Sequence, residues 1–187
     1  MIAGVDEVGR GPLVGPVVAA AVILNPQCRI DGLADSKALS PARRDALAEQ
    51  IHRDALGLCV VALDAADVDR LNILQATFEA MRQAVAGLNP QPTHVLIDGN
   101  RVPPGLGVSA EAVVKGDQSK ASISAASIVA KVYRDRWCLA YHQQYPEYGF
   151  DRHKGYPTAE HMTRLRELGV TPEHRRSFKP VAQLQLL

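Results

Sequence analysis

The 187-residue sequence has few cysteines, few aromatic residues and no long apolar run, and these shortages exclude several protein classes. Its three cysteines, Cys28, Cys59 and Cys138, are widely spaced and form no CxxC pair. This excludes a disulfide framework and a zinc ribbon, and predicts free thiols in a reducing compartment. The longest apolar run, residues 17–24, is too short to cross a bilayer, and the residues before it lack the pattern of a signal peptide, so we expect none. We therefore expect a cytoplasmic protein with no membrane partner.

The sequence also has little excess charge, with a net charge of +1 at neutral pH. A chain coated in basic residues is excluded, although a local basic groove can exist within a neutral total. The apolar content of 47% and the length suit one domain with a sizeable core. No repeat or long linker divides the chain. We expect a monomer with a single domain over residues 1–187, a helical extension at about residues 145–180 and a flexible tail at 181–187.

Apolar runs and helix signals alternate along the chain. Short β-branched runs predict strands at residues 2–5, 16–24, 58–63, 93–97 and 112–114. Helical spacing and helix-start residues predict helices at residues 41–56, 65–86, 119–144 and 157–168. A hairpin turn is predicted at residues 9–12, and a weakly structured tail after Arg176. This order predicts an α/β fold in which helices flank a mixed central sheet.

Asp6 and Glu7 are adjacent at the end of the first predicted strand. Neighbouring side chains of a strand point to opposite faces, so one of these carboxylates would point towards the core. A buried carboxylate is costly unless it is paired, hydrogen-bonded or bound to a metal. Gly9, Arg10 and Gly11 follow, and they supply two flexible backbone positions and a cation that can meet a phosphate. An exposed turn after an edge strand is the alternative interpretation.

Two further carboxylates lie at the ends of predicted elements. Asp98 follows the strand at 93–97, and Asp117 precedes the helix at 119–144. If these residues converge with Asp6 and Glu7, some must be protonated or divalent cations must neutralise them. Oxygen ligands favour Mg²⁺ or Mn²⁺, and two such ions can clamp both reacting oxygens of a phosphodiester. Taken singly, Asp98 and Asp117 are each also typical of a turn or a helix N-cap.

Six blocks of sequence resemble, in order, the signature blocks of bacterial ribonuclease HII: VDEVGRGPLVGPVVAAAV, ADSKALS, DRLNILQATFEAM, LIDGN, VVKGDQSKASISAASIVAKVYRDR and GFDRHKGYPTAEH. They cover residues 2 to about 179, and Val14 is a conservative departure from an expected alanine. The resemblance implies a ribonuclease H-like fold and Mg²⁺- or Mn²⁺-dependent cleavage of RNA in RNA–DNA hybrids. It also implies incision 5′ to a single ribonucleotide in duplex DNA, leaving a 3′-hydroxyl and a 5′-phosphate.

The resemblance also implies a role for individual residues. The four metal-site carboxylates of the family match Asp6, Glu7, Asp98 and Asp117, which implies two ions during catalysis. The family's substrate contacts match Gly9, Arg10, Gly11, Lys37 and Tyr156. Among these, the glycine-arginine-glycine loop reads the ribose 2′-hydroxyl at an RNA–DNA junction, the tyrosine stacks on the next sugar, and the lysine lies near the phosphates. Ribonuclease HIII shares the first block but has an extra N-terminal domain, for which we expect no room before Asp6.

Simpler interpretations exist for several of these residues. Arg10 and Lys37 can be solvated surface cations, and Tyr156 can be a packed loop aromatic. Further candidates for a phosphate groove, most of them expected on solvated faces, are Arg134, Arg136, Arg152, Lys154, Arg175 and Arg176. A non-catalytic RNA–DNA hybrid-binding module would need such a groove but not four carboxylates. A glycosidase needs two carboxylates and usually sugar-stacking aromatics, which make up only 5% of this chain.

The last five residues, 183–187 (QLQLL), resemble the short Gln-Leu-x-Leu-Phe/Leu peptide with which bacterial replication proteins bind the sliding clamp. An exposed tail with two adjacent leucines suits docking into a groove. The alternative is a frayed C-terminus whose leucines pack on the domain. A five-residue motif has a high false-positive rate, so both interpretations stay open.

Overall fold

The computed structural model describes residues 1–33, 36 and 38–184. At the centre of the fold lies a mixed five-stranded sheet. The strands are β1 (Ile2–Val8), β2 (Val17–Ile23), β3 (Gly57–Leu63), β4 (His94–Asp98) and β5 (Ser109–Val113). They lie in the order β3-β2-β1-β4-β5. The pairs β1–β2 and β2–β3 are antiparallel, whereas β1–β4 and β4–β5 are parallel. The predicted α/β fold with a mixed sheet is confirmed.

Helices cover both faces of this sheet. Over the described residues they are α1 (Pro41–Asp54), α2 (Ala65–Leu71), α3 (Ile73–Ala86), α4 (Gly116–Ser119), α5 (Ala121–Gln144), α6 (Phe150–His153), α7 (Ala159–Leu168) and α8 (Lys179–Leu184). The helices α2 and α3 pack on one face, and α1 and α5 pack on the other. Within the described residues, no helix has the length and apolar character that crossing a membrane requires.

The central strand β2 is buried along its whole length. Val17, Ala19 and Ala21 face the α2–α3 side, and the intervening residues face α1 and α5. A strand covered on both faces has no polar side to expose, which is why this segment is continuously apolar rather than alternating. In β1, Gly4 lets α5 approach closely, because a Cβ there would lie 2.1 Å from the Ser122 carbonyl carbon. The end of β1 is thereby fixed against α5.

The structure corrects two predictions about helices. The single helix predicted over residues 65–86 is two helices, because Asn72 adopts a left-handed conformation with φ 65°. Its side-chain oxygen accepts hydrogen bonds from the Leu74 and Gln75 amides and so begins α3. The weakly structured tail is also wrong for residues 179–184, which form α8 with Val181 fully buried. Residues 185–187 lie outside the described part of the chain.

The C-terminal helical segment packs around its own apolar cluster. Tyr148, Phe150, Leu165 and Val181 pack there with Leu13 from the connection between β1 and β2. Backbone hydrogen bonds link the two parts, including one from the Leu13 amide to the Gly155 carbonyl and one from the Arg175 amide to the Leu13 carbonyl, each at 2.8 Å. The connection between β1 and β2 is therefore held from outside the sheet, and it is longer than the tight hairpin turn predicted at residues 9–12.

Candidate active site

Asp6 and Glu7 are the last carboxylates on β1, and their side chains leave it on opposite faces. Asp6 is nearly fully buried and is hydrogen-bonded by Ser127 of α5. Its Oδ1 also accepts the Glu7 amide at 2.7 Å. Glu7 lines a pocket on the other face beside Thr77 and Met81 of α3. The alternation expected of a strand thus places one carboxylate on each side of the sheet end.

Asp98 is the last residue of β4, which runs parallel to β1. Val5 pairs with Ile97, so Asp6 and Asp98 follow at the same edge of the sheet. Asp98 Oδ1 accepts hydrogen bonds from the Gly116 amide at 2.7 Å and the Asp117 amide at 3.3 Å. These bonds fix the start of α4, and with it Asp117, beside the strand end.

The four carboxylates predicted from sequence come together around one pocket of about 380 Å³. It is lined by Asp6, Glu7, Val8, Ser36, Asp98, Asp117, Ser127, Lys131 and Tyr156. In the part of the chain that the structure describes, no three Asp, Glu, His or Cys side chains form a ready-made metal cluster. The carboxylates therefore share a pocket without forming a closed cage.

The surroundings of Asp6 and Glu7 in this pocket disfavour the ionised form of both carboxyl groups. Burial raises the pKa of Asp6 well above its ordinary value, and the nearby Glu7 and Asp98 raise it further. Burial also raises the pKa of Glu7, and this rise is partly offset by Arg10, whose Nη1 lies 3.5 Å from Glu7 Oε1. A divalent cation would relieve both effects, and an all-oxygen donor set suits a hard ion. The residues present fit Mg²⁺ or Mn²⁺.

The Gly9–Arg10–Gly11 loop lies next to this pocket. Gly9 has φ 90°, and a Cβ there would lie 2.4 Å from Arg134 Nε, so only glycine fits. A Cβ at Gly11 would meet only the Tyr156 ring, at an ordinary contact distance of 3.4 Å. The structure thus places Tyr156 beside the loop. Lys37, the remaining predicted substrate contact, lies outside the described residues.

The six candidates for a phosphate groove differ in how exposed their side chains are. Arg136, Arg152 and Arg176 are exposed, as expected for a solvated face. The prediction is wrong for Arg134 and Arg175, which are fully buried and donate to backbone carbonyls. Lys154 is half-buried, and its ammonium donates to the Asp151 carbonyl at 2.6 Å.

Sequence reasoning also missed two serines that support Asp6. Ser127 hydrogen-bonds the Asp6 side chain, and its Oγ lies 2.9 Å from Ser36 Oγ. Arg44 in turn donates to the Ser36 carbonyl at 2.5 Å. Nothing in the small-residue pattern of α5 distinguishes Ser127 from a serine that serves only close packing.

Two buried histidines hold the Tyr156 backbone through a chain of hydrogen bonds. The Thr171 amide donates to His174 Nδ1 at 2.8 Å, so the proton of a neutral His174 lies on Nε2. His174 Nε2 lies 3.3 Å from His161 Nε2, and His161 Nδ1 donates to the Tyr156 carbonyl at 2.9 Å. The chain requires both rings to be neutral, because a second proton, on His174 Nδ1 or on His161 Nε2, would remove an acceptor and break it.

Comparison with known proteins identifies close relatives over nearly the whole chain. A family model described as Ribonuclease HII matches residues 3–181. The chain is 59% identical over 184 residues to a ribonuclease HII of Polaromonas sp. (strain JS666), covering 98% of this chain and 92% of that protein. It is 62% identical over 182 residues to a ribonuclease HII of Paracidovorax citrulli, covering 97% of this chain and 75% of that protein.

Solved structures share the fold at lower identity. The ribonuclease H2 of Pyrococcus horikoshii matches with a TM-score of 0.82 and 26% identity, covering 99% of this chain and 97% of that one. The RNase HII of Archaeoglobus fulgidus, solved in complex with PCNA, matches with a TM-score of 0.83 and 27% identity over the same shares. Bst-RNase HIII, solved with Mn²⁺, matches at 0.71 and 18% identity, covering 99% of this chain and 69% of that one.

The histidine pair predicts a pH-dependent stability. Burial lowers the pKa of His161 to about 4 and that of His174 to about 3, from an ordinary 6.5. Below pH 6.5 the two histidines of the unfolded chain therefore gain protons that those of the folded chain do not. The free energy of unfolding thus decreases as the pH is lowered from about 6.5 towards the pKa values of the folded protein. Asp6 and Glu7, whose pKa values are raised, act in the opposite sense.

The contribution of His174 is isolated by comparing wild type with His174→Gln in urea denaturation. Between about pH 7 and pH 5, wild type should lose roughly 2 kcal/mol more unfolding free energy than the variant. His52→Asn, which changes an exposed histidine of α1, is the control and should keep the wild-type pH dependence. Equal pH dependence in wild type and His174→Gln would contradict a neutral buried pair.

Proposed function

The chain belongs to the ribonuclease HII family, and we propose that it incises duplex DNA on the 5′ side of single embedded ribonucleotides as well as cleaving RNA in hybrids. The protein is a metal-dependent endonuclease of the ribonuclease H class, and its family binds RNA–DNA hybrids. The observation that supports the proposal is the convergence of four carboxylates beside the Gly9–Gly11 loop and Tyr156. Incision would leave a 3′-hydroxyl and a 5′-phosphate.

The catalytic role proposed for Asp6, Glu7, Asp98 and Asp117 is to hold two Mg²⁺ or Mn²⁺ ions. Two bound ions would supply an activated water and stabilise the leaving 3′-oxygen. Other groups of the protein orient these carboxylates. The Gly116 and Asp117 amides donate hydrogen bonds to Asp98, and Ser127 and the Glu7 amide hydrogen-bond Asp6. Carboxylates held in this way need little reorganisation when the ions and the substrate bind.

The substrate-reading role is proposed for Gly9, Arg10, Gly11 and Tyr156. A 2′-hydroxyl distinguishes RNA from DNA at one nucleotide, and glycine lets backbone groups approach it closely. A site whose polar groups are satisfied by that hydroxyl rejects a deoxynucleotide, because those groups would be left unpaired. Tyr156 is 40% exposed, which leaves its ring surface available to stack on a sugar. Arg10 is half-exposed beside Glu7 and can meet a phosphate. Lys37 is likewise proposed to contact the backbone phosphates of the substrate.

The test uses a DNA duplex with one labelled ribonucleotide, incubated with Mg²⁺ or with EDTA. We expect a single metal-dependent cut 5′ to the ribonucleotide, and a loss of at least a hundredfold in rate for Asp98→Asn with hybrid binding retained. Asp31→Asn, at an exposed carboxylate that does not line the pocket, is the matched control and should cleave normally. Cleavage of long hybrids without the junction cut would refute the junction reading. Binding without any cleavage would indicate a hybrid-binding module.

We also propose that residues 183–187 dock the enzyme on a bacterial sliding clamp in the cytoplasm. The support is the QLQLL sequence, the PCNA complex of the Archaeoglobus fulgidus protein and the exposed side chain of Gln183. Leu184 is half-buried and packs on the C-terminal apolar cluster, so the contact with the clamp is proposed for Leu186 and Leu187. The three cysteines, all free in the structure, suit a reducing compartment.

The clamp proposal is tested with the double variant Leu186→Ala/Leu187→Ala, which leaves Leu184 in place. Affinity for the purified bacterial clamp, measured by surface plasmon resonance, should fall at least tenfold while clamp-free cleavage stays unchanged. Leu168→Ala, at an exposed leucine of α7, is the control for loss of surface apolar area. Unchanged clamp affinity in the double variant would refute the docking role.

A further inference from the structure

Arg134 and Arg175 are both completely buried, which is unusual for a charged side chain. Within the residues that the structure describes, neither forms an ion pair with a carboxylate within 4.0 Å. Burial, and then the nearby Arg134, lowers the pKa of Arg175 to about 9, which shows how strongly its surroundings disfavour charge. A buried charge is retained at such a cost only when hydrogen bonds compensate it.

Arg175 obtains that compensation from the connection between β1 and β2. Its Nη2 donates to the Gly9 carbonyl at 2.6 Å, and its Nη1 donates to the Arg10 and Pro12 carbonyls at 3.1 and 2.9 Å. Its Nε donates to the Gly15 carbonyl at 2.9 Å. One guanidinium thus holds four carbonyls of the segment that contains the proposed reading loop. Only a planar group with several fixed donors can do this.

Arg134 connects the same segment to the loop that carries Tyr156. It donates to the Val14 and Pro16 carbonyls at 3.0 and 3.2 Å, and to the Lys154 carbonyl at 3.0 Å. Its side chain also fills the space beside Gly9, where a Cβ would lie 2.4 Å from Nε. Its guanidinium carbon lies 5.9 Å from the centre of the Tyr156 ring. The two loops are therefore fixed relative to one another through this side chain.

We propose that Arg175 and Arg134 are positioning residues that set the geometry of residues 9–11 against Tyr156, and thereby set selectivity for an RNA–DNA junction. The proposal rests on the function proposed above for that loop. Discriminating one hydroxyl requires the contacting groups to be held within about 0.5 Å of the productive geometry. The carboxylates Asp6, Glu7 and Asp98 receive no bond from either arginine, so long-hybrid cleavage should depend on the pair much less than junction selectivity does.

The first test measures junction selectivity in Arg175→Lys. Lysine keeps the charge but cannot bond four carbonyls at once. The ratio of the junction cut to long-hybrid cleavage should fall at least tenfold, while long-hybrid cleavage stays within about threefold of wild type. Val85→Ala, at a buried residue of α3 on the sheet face opposite α5, is the control for lost stability. It should leave the ratio unchanged.

The second measurement requires no substrate. Trp137 is the only tryptophan, and its ring lies against Gly15, where a Cβ would be 2.4 Å from it. Because Arg175 holds the Gly15 carbonyl, Arg175→Lys should shift the Trp137 emission and raise its quenching by acrylamide in the folded protein. Val85→Ala should change neither. If wild type makes no junction cut, the proposed function is refuted. The Trp137 emission and quenching measurements then still test whether Arg175 positions the connection between β1 and β2.

Three results would overturn the proposal. One is an unchanged ratio in folded Arg175→Lys, and another is a proportional loss of both activities, as expected from a purely structural role. The third is Trp137 emission and quenching equal to those of wild type. Should Arg175→Lys fail to fold, Arg134→Lys serves as the second variant, because it loses bonds to Val14, Pro16 and Lys154. Its junction ratio should fall likewise, and an unchanged ratio would refute the proposal.

Discussion

Repulsion among carboxylates at the end of β1 and β4 is the constraint around which the site is built. Burial, Glu7 and Asp98 together raise the pKa of Asp6, and the hydrogen bonds from Ser127 and the Glu7 amide offset this only in part. A protein that only had to fold would be more stable with apolar residues at this sheet end. The metal-binding role proposed for the cluster, which would bring divalent cations to one edge of a rigid sheet, explains why the carboxylates are retained there.

The same strand end also starts the loop proposed to read the substrate, so the proposed catalytic and substrate-reading residues share one support. Val8 ends β1 and Gly9 begins the loop. Helix α5 supplies Ser127, which hydrogen-bonds Asp6, and Arg134, which donates to a carbonyl of the connection between β1 and β2. Close contact of α5 with Gly4 fixes both sets of contacts relative to β1. Sites built on packed helices and strands hold their geometry better than sites on free loops.

Local sequence patterns predicted the parts of this arrangement that depend on local physics. Adjacent carboxylates after an apolar run, and Asp98 after the apolar run at residues 95–97, mark strand ends, while the continuous run at residues 17–24 marks a strand buried on both faces. The break at Asn72 was missed because it depends on one left-handed residue that the surrounding helical spacing conceals. Arg134 and Arg175 were misplaced because arginine is usually exposed, and all but one of their carbonyl partners, Lys154, lie more than a hundred residues away in the chain. The family resemblance, rather than spacing, supplied the roles of the loop and Tyr156.

The most direct test of the central claim is Mn²⁺ binding to the substrate-free protein, followed by electron paramagnetic resonance. The account predicts that wild type binds Mn²⁺ and that Asp6→Asn or Asp98→Asn weakens this binding at least tenfold, since each removes a charged ligand from the shared pocket. Glu49→Gln, at an exposed position on α1, should bind as wild type does. Equal Mn²⁺ affinity in wild type and in both pocket variants would contradict the claim that these carboxylates form the metal site.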